Sequence, residues 1–379
     1  MLTQFTSSTL DMAVLILMLI CVLIQLFYFW YFFARLAFLK KKSSYNTNPE
    51  LAPVSIVICA HNEYRHLLTN IPLILDQQYP SFELIIVNDR SDDGSKELLE
   101  DFARNNSRIS VINLTQNLNF FKGKKFPLSI GIKSAKYEHL LLTDADCTPA
   151  SQHWISSMMR NYTPQKEIVI GFSPYKKKSG LLNGLIRFDT LHTAVQYLSM
   201  ALAGKVYMGV GRNLSYKKTV FLKNKGFITH YDIPSGDDDI FINKVGTARN
   251  TAIEISAQSH MVSEPHKHFG TWTRQKRRHL STGMYYKRAT KWLLGMYIGT
   301  QSGFYLCVGL LFFTALPIYV PLSLFFIRFI SQEIIYIRIA KQLNQSFPWL
   351  LLPFAELFFV IFNPILSIYN LFAKPVKWM

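Results

Sequence analysis

Two carboxylates, Asp144 and Asp146, stand at the end of the run Leu140-Leu-Leu-Thr-Asp-Ala-Asp-Cys147, one small residue apart. Alternation along an extended chain directs residues two apart to the same side. Paired hard oxygen donors at a strand tip suit Mg2+ or Mn2+ carrying a diphosphate. An Asp-x-Asp triplet that merely caps the next helix is the plainer alternative, and the neighbouring chain decides between them. A second acidic group, Asp237-Asp-Asp239, follows Gly236 and precedes the apolar Ile-Phe-Ile. Three acids suit a helix N-terminus, yet they repel one another unless one has a task that uses a raised pKa. Lys124 and Lys125 read either as a solvated face or as the start of a helix whose amides also favour phosphate.

These residues meet only if several strands end along one edge. From Pro53 short β runs alternate with helices, the pattern of a parallel α/β sheet. Val54–Cys59 ends in Ala60-His-Asn-Glu63, and Phe82–Val87 ends in Asn88-Asp-Arg-Ser-Asp-Asp-Gly-Ser95. Ile109–Asn113 and the Leu140 run complete the set, with a helix from Gly123 to about Ser134 between them. Polar ends in register form a nucleotide crevice at the carboxyl edge of such a sheet. His61 reads as a strand-end packing residue, and Asp92-Asp93-Gly94 reads in part as a helix cap and turn. Further on come a strand at Ile168–Phe172, a helix from Gly180 to Ala203 at the membrane face, and a Gly-interrupted strand at Tyr207–Tyr216. Trp272-Thr-Arg-Gln-Lys-Arg-Arg-His279 starts a basic helix and also suits the flank of a membrane span. With no Walker loop and no GxGxxG, a P-loop kinase or a Rossmann dehydrogenase lacks its phosphate-binding glycines.

Hydrophobic residues make up 49% of the 379 positions and charged ones only 17%, which points to a lipid-embedded part. Met12–Phe33 is long and apolar enough to cross a bilayer and lacks a basic n-region and cleavage site, so it reads as a permanent anchor. Arg35 and Lys40-Lys-Lys42 follow it and put the next domain in the cytoplasm. Leu293–Pro317, Ile318–Ile330 and Phe347–Phe372 read as further spans, and Ser331–Ser346 as an amphipathic interfacial helix. Span counting sends the C-terminus outside, whereas Lys374 and Lys377 favour the inside. The expected organisation is an anchor at 1–39, a cytoplasmic catalytic domain at 40–291 and a C-terminal membrane domain at 292–379. A net charge of +17 fits basic flanks beside a bilayer better than a nucleic-acid partner, since no aromatic-interleaved basic ribbon is present. A transporter is the non-enzyme alternative, weakened by the few charges inside the spans. The four cysteines form no CxxC or His-spaced set, so neither a disulfide framework nor a zinc site is indicated.

With these pieces in place, residues from about Val54 to Gly283 resemble the family 2 glycosyltransferases, membrane-anchored inverting enzymes. Val54–Glu63 is similar to the family's opening strand, and Val87–Ser95 to its Val-Asp-Asp-Gly-Ser segment, with Arg90 in place of Gly. Gly123-Lys124 with Leu128 and Gly131 resembles Gly-Lys-x-x-Ala-Leu-x-x-Gly, and Thr143–Asp146 the DxD motif. Gly236–Ile240 stands where the family has Glu-Asp-x-x-Leu, and Gln275–His279 resembles QxxRW with His279 replacing Trp.

The resemblance implies an α/β GT-A nucleotide-diphosphosugar transferase domain with a mostly parallel sheet, one N-terminal and two to three C-terminal transmembrane helices. It implies transfer of a sugar, with inversion, from a nucleotide sugar (a UDP-sugar favoured) to a lipid-linked or glycan acceptor in cell-envelope glycan synthesis at the inner (plasma) membrane. Asp89, with Ala60, Asn62 and Glu63, would hold the nucleoside. Asp144 and Asp146 would carry Mg2+ or Mn2+ on the diphosphate, and Lys124 and Arg278 would add positive charge. Asp237 would be the general base, with Asp238 one register step away. Gln275 and His279 would face the acceptor. A processive polysaccharide synthase is the alternative within the class. His279 argues against it, because an imidazole that charges near pH 6.5 stacks poorly on a sugar.

Overall fold

The apolar N-terminal run folds as α1, Thr9–Phe27, passes through a π-helical turn, Tyr28–Phe33, and ends in α2, Ala34–Ala37. The turn keeps Tyr28, Phe29, Phe32 and Phe33 on the buried face. The structure is a computed structural model that describes residues 9–40, 51–116 and 123–373. The chain divides into two compact units, Met1–Lys40 with Lys287–Ile365, and Lys41–Tyr286 with Leu366–Met379.

The α/β unit runs β1 (Val54–Ala60), α3 (Tyr64–Leu75), β2 (Phe82–Asp89), α4 (Ser95–Asn105), β3 (Ile109–Leu114), α5 (Lys125–Ser134) and β4 (His139–Asp144). It continues through β5 (Cys147–Pro149), α6 (Trp154–Met159), β6 (Ile168–Gly171), α7 (Leu181–Leu202), β7 (Leu214–Lys217) and α8 (Lys218–Lys223). Last come α9 (Asp239–Val245), β8 (Thr251–Glu254), β9 (Met261–Ser263) and α10 (Phe269–Leu280). Seven strands form one sheet in the order β3-β2-β1-β4-β7-β6-β8. The first four are mutually parallel, and β7 is antiparallel to both its neighbours. All seven residues of β1 are buried, which is why its sequence is a continuous apolar run and not an alternation. Ile56, Ile58, Leu84, Ile86 and Leu141 pack there with Ile71, Ile74, Trp154 and Met158. Because β1 lies between β2 and β4, the winding reverses at β1, and a crevice opens at the carboxyl ends of β1 and β4. The register pairs Cys59 with Asp144 at that edge.

The other unit completes α1 and α2 with α11 (Arg288–Leu310), α12 (Tyr319–Gln342) and most of α13 (Leu352–Phe372). Four helices of the described residues are long and apolar enough to cross a membrane: Thr9–Ala37, Arg288–Phe313, Tyr319–Gln342 and Trp349–Phe372. This corrects the separate interfacial helix expected at Ser331–Ser346. Arg328 and Gln332 belong to one uninterrupted helix that runs on to Gln342, and both turn inward, while Arg338 and Lys341 near its end are exposed. Arg328 donates from Nη2 to Glu356 Oε1 at 2.8 Å and from Nη1 to Oε2 at 3.0 Å, and Gln332 Nε2 donates to Oε1 at 2.9 Å. Gln301 and Tyr305 also donate to Glu356, and Gln25 Oε1 accepts from Arg328. The few charges in the spans therefore include a fully buried ion pair. Lys41, Lys42, Lys374 and Lys377 lie outside the described residues.

Candidate active site

At the carboxyl edge of β1 and β4 lies a cavity of about 430 Å³. His61 and Glu63 after β1, Lys124 before α5, and Asp144 and Asp146 line one side; Asp189, Arg212, Asp237, Gln275, Arg278 and His279 line the rest. Lys124 Nζ donates to Asp144 Oδ1. Burial opposes ionisation of Asp144, but Lys124, and after it Arg212 and Arg278, outweigh burial and hold the carboxyl below its ordinary range. Asp146 sits in the turn after β4 and not on the strand, because β4 ends at Asp144; strand alternation therefore does not set its direction. Burial, and then the Asp144 charge, push Asp146 upward. Among the described residues its one hydrogen bond comes from Cys147 Sγ at 3.4 Å, too weak to satisfy a carboxylate.

A divalent cation fits this acidic pair. The donors are hard oxygens, the pair repels itself, and one member lacks a strong partner. Among the described residues no group of three or more His, Cys, Asp or Glu side chains forms a metal cage. A cation held by one or two carboxylates and completed by substrate phosphate oxygens matches the habit of Mg2+ and its relatives.

The three consecutive acids are positioned from α5. Lys125, fully buried, donates from Nζ to His230 O at 2.8 Å, Ser235 O at 2.6 Å and Ile233 O, so it pins the loop that leads to Asp237. Burial pulls its ammonium down to about 8. The Lys124-Lys125 pair is thus split between two tasks, one lysine facing the cavity and the other an internal clamp. Gly236 follows at φ +99°, where a side chain would be strained and its Cβ would lie 2.3 Å from Ile240 Cδ1.

From there the acids diverge. Asp238 caps α9, accepting from Asp239 N at 2.7 Å and from Gly211 N at 2.8 Å. Asp239 also borders the cavity, and it accepts from Thr282 Oγ1 and, at 2.7 Å, from Tyr286 Oη. Burial and then the Asp238 charge push it up to about 7. Asp237 faces the cavity, where burial and then Asp238 push its carboxyl up against the pull of Lys124. Among the described residues no hydrogen bond holds the Asp237 carboxylate.

Asp239 carries a stability prediction. Its folded pKa lies above the ordinary 3.8, so the fold prefers the protonated form. That stability is present at low pH and is lost as pH rises from near 3.8 through about 7. Asp239→Asn stays neutral and is expected to flatten this decline. Melting temperatures in detergent at pH 5 and pH 8 test it: an unchanged difference between the two would show that Asp239 is not the group that titrates.

On α10, Gln275 Oε1 accepts from Tyr175 Oη at 3.2 Å and pairs with His266 Nε2 at 3.1 Å. The Arg278 Nε is buried with no hydrogen-bond partner, and the side chain lines the cavity. His279 also lines it, with part of its ring open to solvent. Loss of bulk water and the nearby Arg278, Arg212 and Lys276 cations push its imidazole down to about 3. His279 is exposed, so water weakens both effects, and their direction favours the neutral imidazole.

Three expected donor residues lie away from the cavity. Ala60 is buried at the end of β1, and Asn62 builds a turn, accepting from Asp92 N at 2.9 Å. The Asp89 carboxylate is already engaged by Arg90, which donates from Nε at 2.7 Å and from Nη2 at 3.1 Å. Arg90 keeps the left-handed conformation, φ +57°, that a glycine would adopt freely. Sequence reasoning missed Arg212, Tyr175 and the Asp189–Lys276 ion pair at 2.7 Å. No motif spacing marks them, because the antiparallel entry of β7 and the packing of α7 against α10 are long-range outcomes.

Residues 55–223 match the family model described as Glycosyl transferase family 2. A poly-beta-1,6-N-acetyl-D-glucosamine synthase of Staphylococcus epidermidis is 28% identical over 179 residues, 46% of this chain and 41% of the relative. The Staphylococcus aureus (strain COL) protein of that name is 28% identical over 220 residues, 57% of this chain and 50% of the relative. The chain thus spans half or less of the length of these relatives. A mannosyltransferase from Pyrobaculum calidifontis, solved in complex with GDP-Man and Mn2+, shares the fold with a TM-score of 0.58. It is 16% identical, and the match covers 96% of this chain and 99% of that one.

Proposed function

We propose that this chain, which carries a glycosyl transferase family 2 domain, is a membrane-bound inverting glycosyltransferase. It moves a sugar from a nucleotide-sugar donor to a hydroxyl of a lipid-linked or glycan acceptor in cell-envelope glycan synthesis. The observation that carries the reading is the shared cavity: Asp237, with a raised pKa and no hydrogen bond among the described residues, faces the same space as the Asp144–Asp146 pair, Lys124 and Arg278. Such a carboxyl is more basic than a free aspartate and is suited to take a proton at its oxygen. Basic Arg35 in the last turn of the first span and Lys40 just after it support a catalytic unit on the cytoplasmic side of an inner (plasma) membrane.

In this mechanism Asp146 and Asp144 would hold Mg2+ or Mn2+. That ion, when bound, neutralises charge developing on the leaving nucleoside diphosphate. Lys124 and Arg278 supply fixed positive charge to the same phosphates, in a site where little water competes. Glu63 borders the nucleotide side of the cavity. Asp237 takes the proton of the acceptor hydroxyl as it attacks the anomeric carbon from the face opposite the leaving group, and configuration inverts. Gln275 and His279 line the acceptor side, where a neutral imidazole accepts or donates a hydrogen bond to a sugar hydroxyl. The detergent-purified chain incubated with Mn2+ and UDP-GlcNAc or GDP-mannose tests the reading. Release of nucleoside diphosphate supports it, and no release from any nucleotide sugar overturns it.

A processive polysaccharide synthase is the second reading, favoured by the name of the staphylococcal relatives. The histidine at 279 presents a smaller face than an indole for a growing chain's terminal sugar. Under large acceptor excess the expected product is a short, evenly distributed ladder. Long chains beside untouched acceptor would establish the second reading instead.

A further inference from the structure

Arg212 lies between the acidic turn and the basic face of α10 and is held from three directions. Its carbonyl accepts a 2.9 Å hydrogen bond from Thr143 Oγ1, the residue just before Asp144. Its guanidinium lies over the Tyr175 ring, 4.4 Å from the centroid, and Nη1 donates to Ser263 Oγ at 2.8 Å. Both supports are themselves fixed. Tyr175 is tied to Gln275, and the β5–β9 register pairs Ser263 with Cys147, beside Asp146. Among the described residues the guanidinium donates the Ser263 hydrogen bond alone, and the side chain lines the cavity. No hydrogen bond joins it to either acid, since Lys124 occupies Asp144 and Cys147 reaches Asp146. Arg278, with its own Nε unpartnered, lines the same cavity. Two guanidinium groups that both act on Asp144 and His279 repel each other unless an anion lies between them.

We propose that Arg212 is a donor-binding residue whose free guanidinium edge hydrogen-bonds the diphosphate of the nucleotide sugar. The assignment rests on the nucleotide-sugar reading above. A planar fork, preorganised by stacking on Tyr175 and by Ser263, matches phosphate oxygens two at a time, which an ammonium cannot do. The same chemistry could come from the diphosphate of a lipid-linked acceptor, so the probes must separate the two sources.

The test uses the full chain in detergent and calorimetric titration with UDP, GDP, the matching nucleoside and geranyl diphosphate, each in EDTA and in Mn2+. Arg212→Gln is expected to weaken the nucleoside diphosphate that the unsubstituted chain binds by about tenfold or more in both conditions. Nucleoside binding is expected to stay unchanged. Arg212→Lys keeps the charge and the apolar stem, folds where Gln does not, and is expected to lose about threefold or more. Unchanged nucleoside diphosphate affinity in either folded variant overturns the proposal. So does an equal loss for the nucleoside, which means that the residue only props the cavity wall. Loss confined to geranyl diphosphate overturns it too and moves Arg212 to the acceptor. If the unsubstituted chain binds no nucleoside diphosphate, the nucleotide-sugar reading itself has failed.

Discussion

Asp237→Asn is expected to lower the turnover of sugar transfer by about 10²–10⁴-fold while donor affinity stays within about twofold. An amide keeps the size and polarity of the side chain but cannot take the acceptor proton. The donor is held by other residues, so the loss falls on the chemical step. Asp238→Asn serves as the contrast, because the Asp238 carboxylate caps α9 and receives the Gly211 amide. It is expected to lower the melting temperature, with a cost of about 0.5–2 kcal/mol typical of a lost cap, and to leave turnover per folded molecule largely intact. Turnover and melting measured on both variants decide the matter. Full turnover in Asp237→Asn would remove it as the base, and lost turnover in a normally stable Asp238→Asn would move the base by one residue.

Asp146→Asn is expected to abolish the increment in nucleoside diphosphate affinity that Mn2+ confers, a loss above about tenfold, while affinity in EDTA stays the same. The weak Cys147 contact leaves the Asp146 carboxylate available to a cation, and an amide oxygen is a far poorer partner for a hard divalent ion. The folded state should survive, because Asp146 sits in a turn and supports no other element by a strong hydrogen bond. Calorimetry with and without metal reads both quantities. An intact Mn2+ increment in Asp146→Asn would show that the acidic turn does not carry the ion.

Strands β1 to β4 and β6, and helices α5 and α7, lie within a residue or two of where the sequence places them; β6, though only four residues long, is the wholly apolar Ile-Val-Ile-Gly. Strands β5, β8 and β9 are three or four residues long, too short for any period to show, and β7 takes its direction from partners far away in sequence. The acidic pair, Lys124, the Asp237 group and Gln275–His279 were legible because each stands at the end or start of an element. Their division of labour was not. All three adjacent aspartates line the cavity, and which of them is left without a hydrogen bond among the described residues depends on Gly211, Thr282 and Tyr286, just as the availability of Asp89 depends on the side chain beside it. The continuity of α12 was misread because Glu333, Arg338 and Lys341 give its second half the look of an amphipathic interfacial helix.

The Arg328–Glu356 pair also constrains how the protein enters its membrane. An arginine or an acid at a helix centre costs about 2.5–3.5 kcal/mol on scales measured at the insertion machinery, so neither α12 nor α13 is an easy passenger alone. Partnered, the two charges cancel, and Gln25, Gln301 and Tyr305 from the two preceding spans add further hydrogen bonds to the pair. The last two helices are therefore suited to leave the translocon as a hairpin, released onto a waiting α1–α11 pair. A chain truncated ahead of Leu352 would strand the Arg328 guanidinium in lipid, a defect that membrane quality control would recognise whatever the state of the catalytic unit.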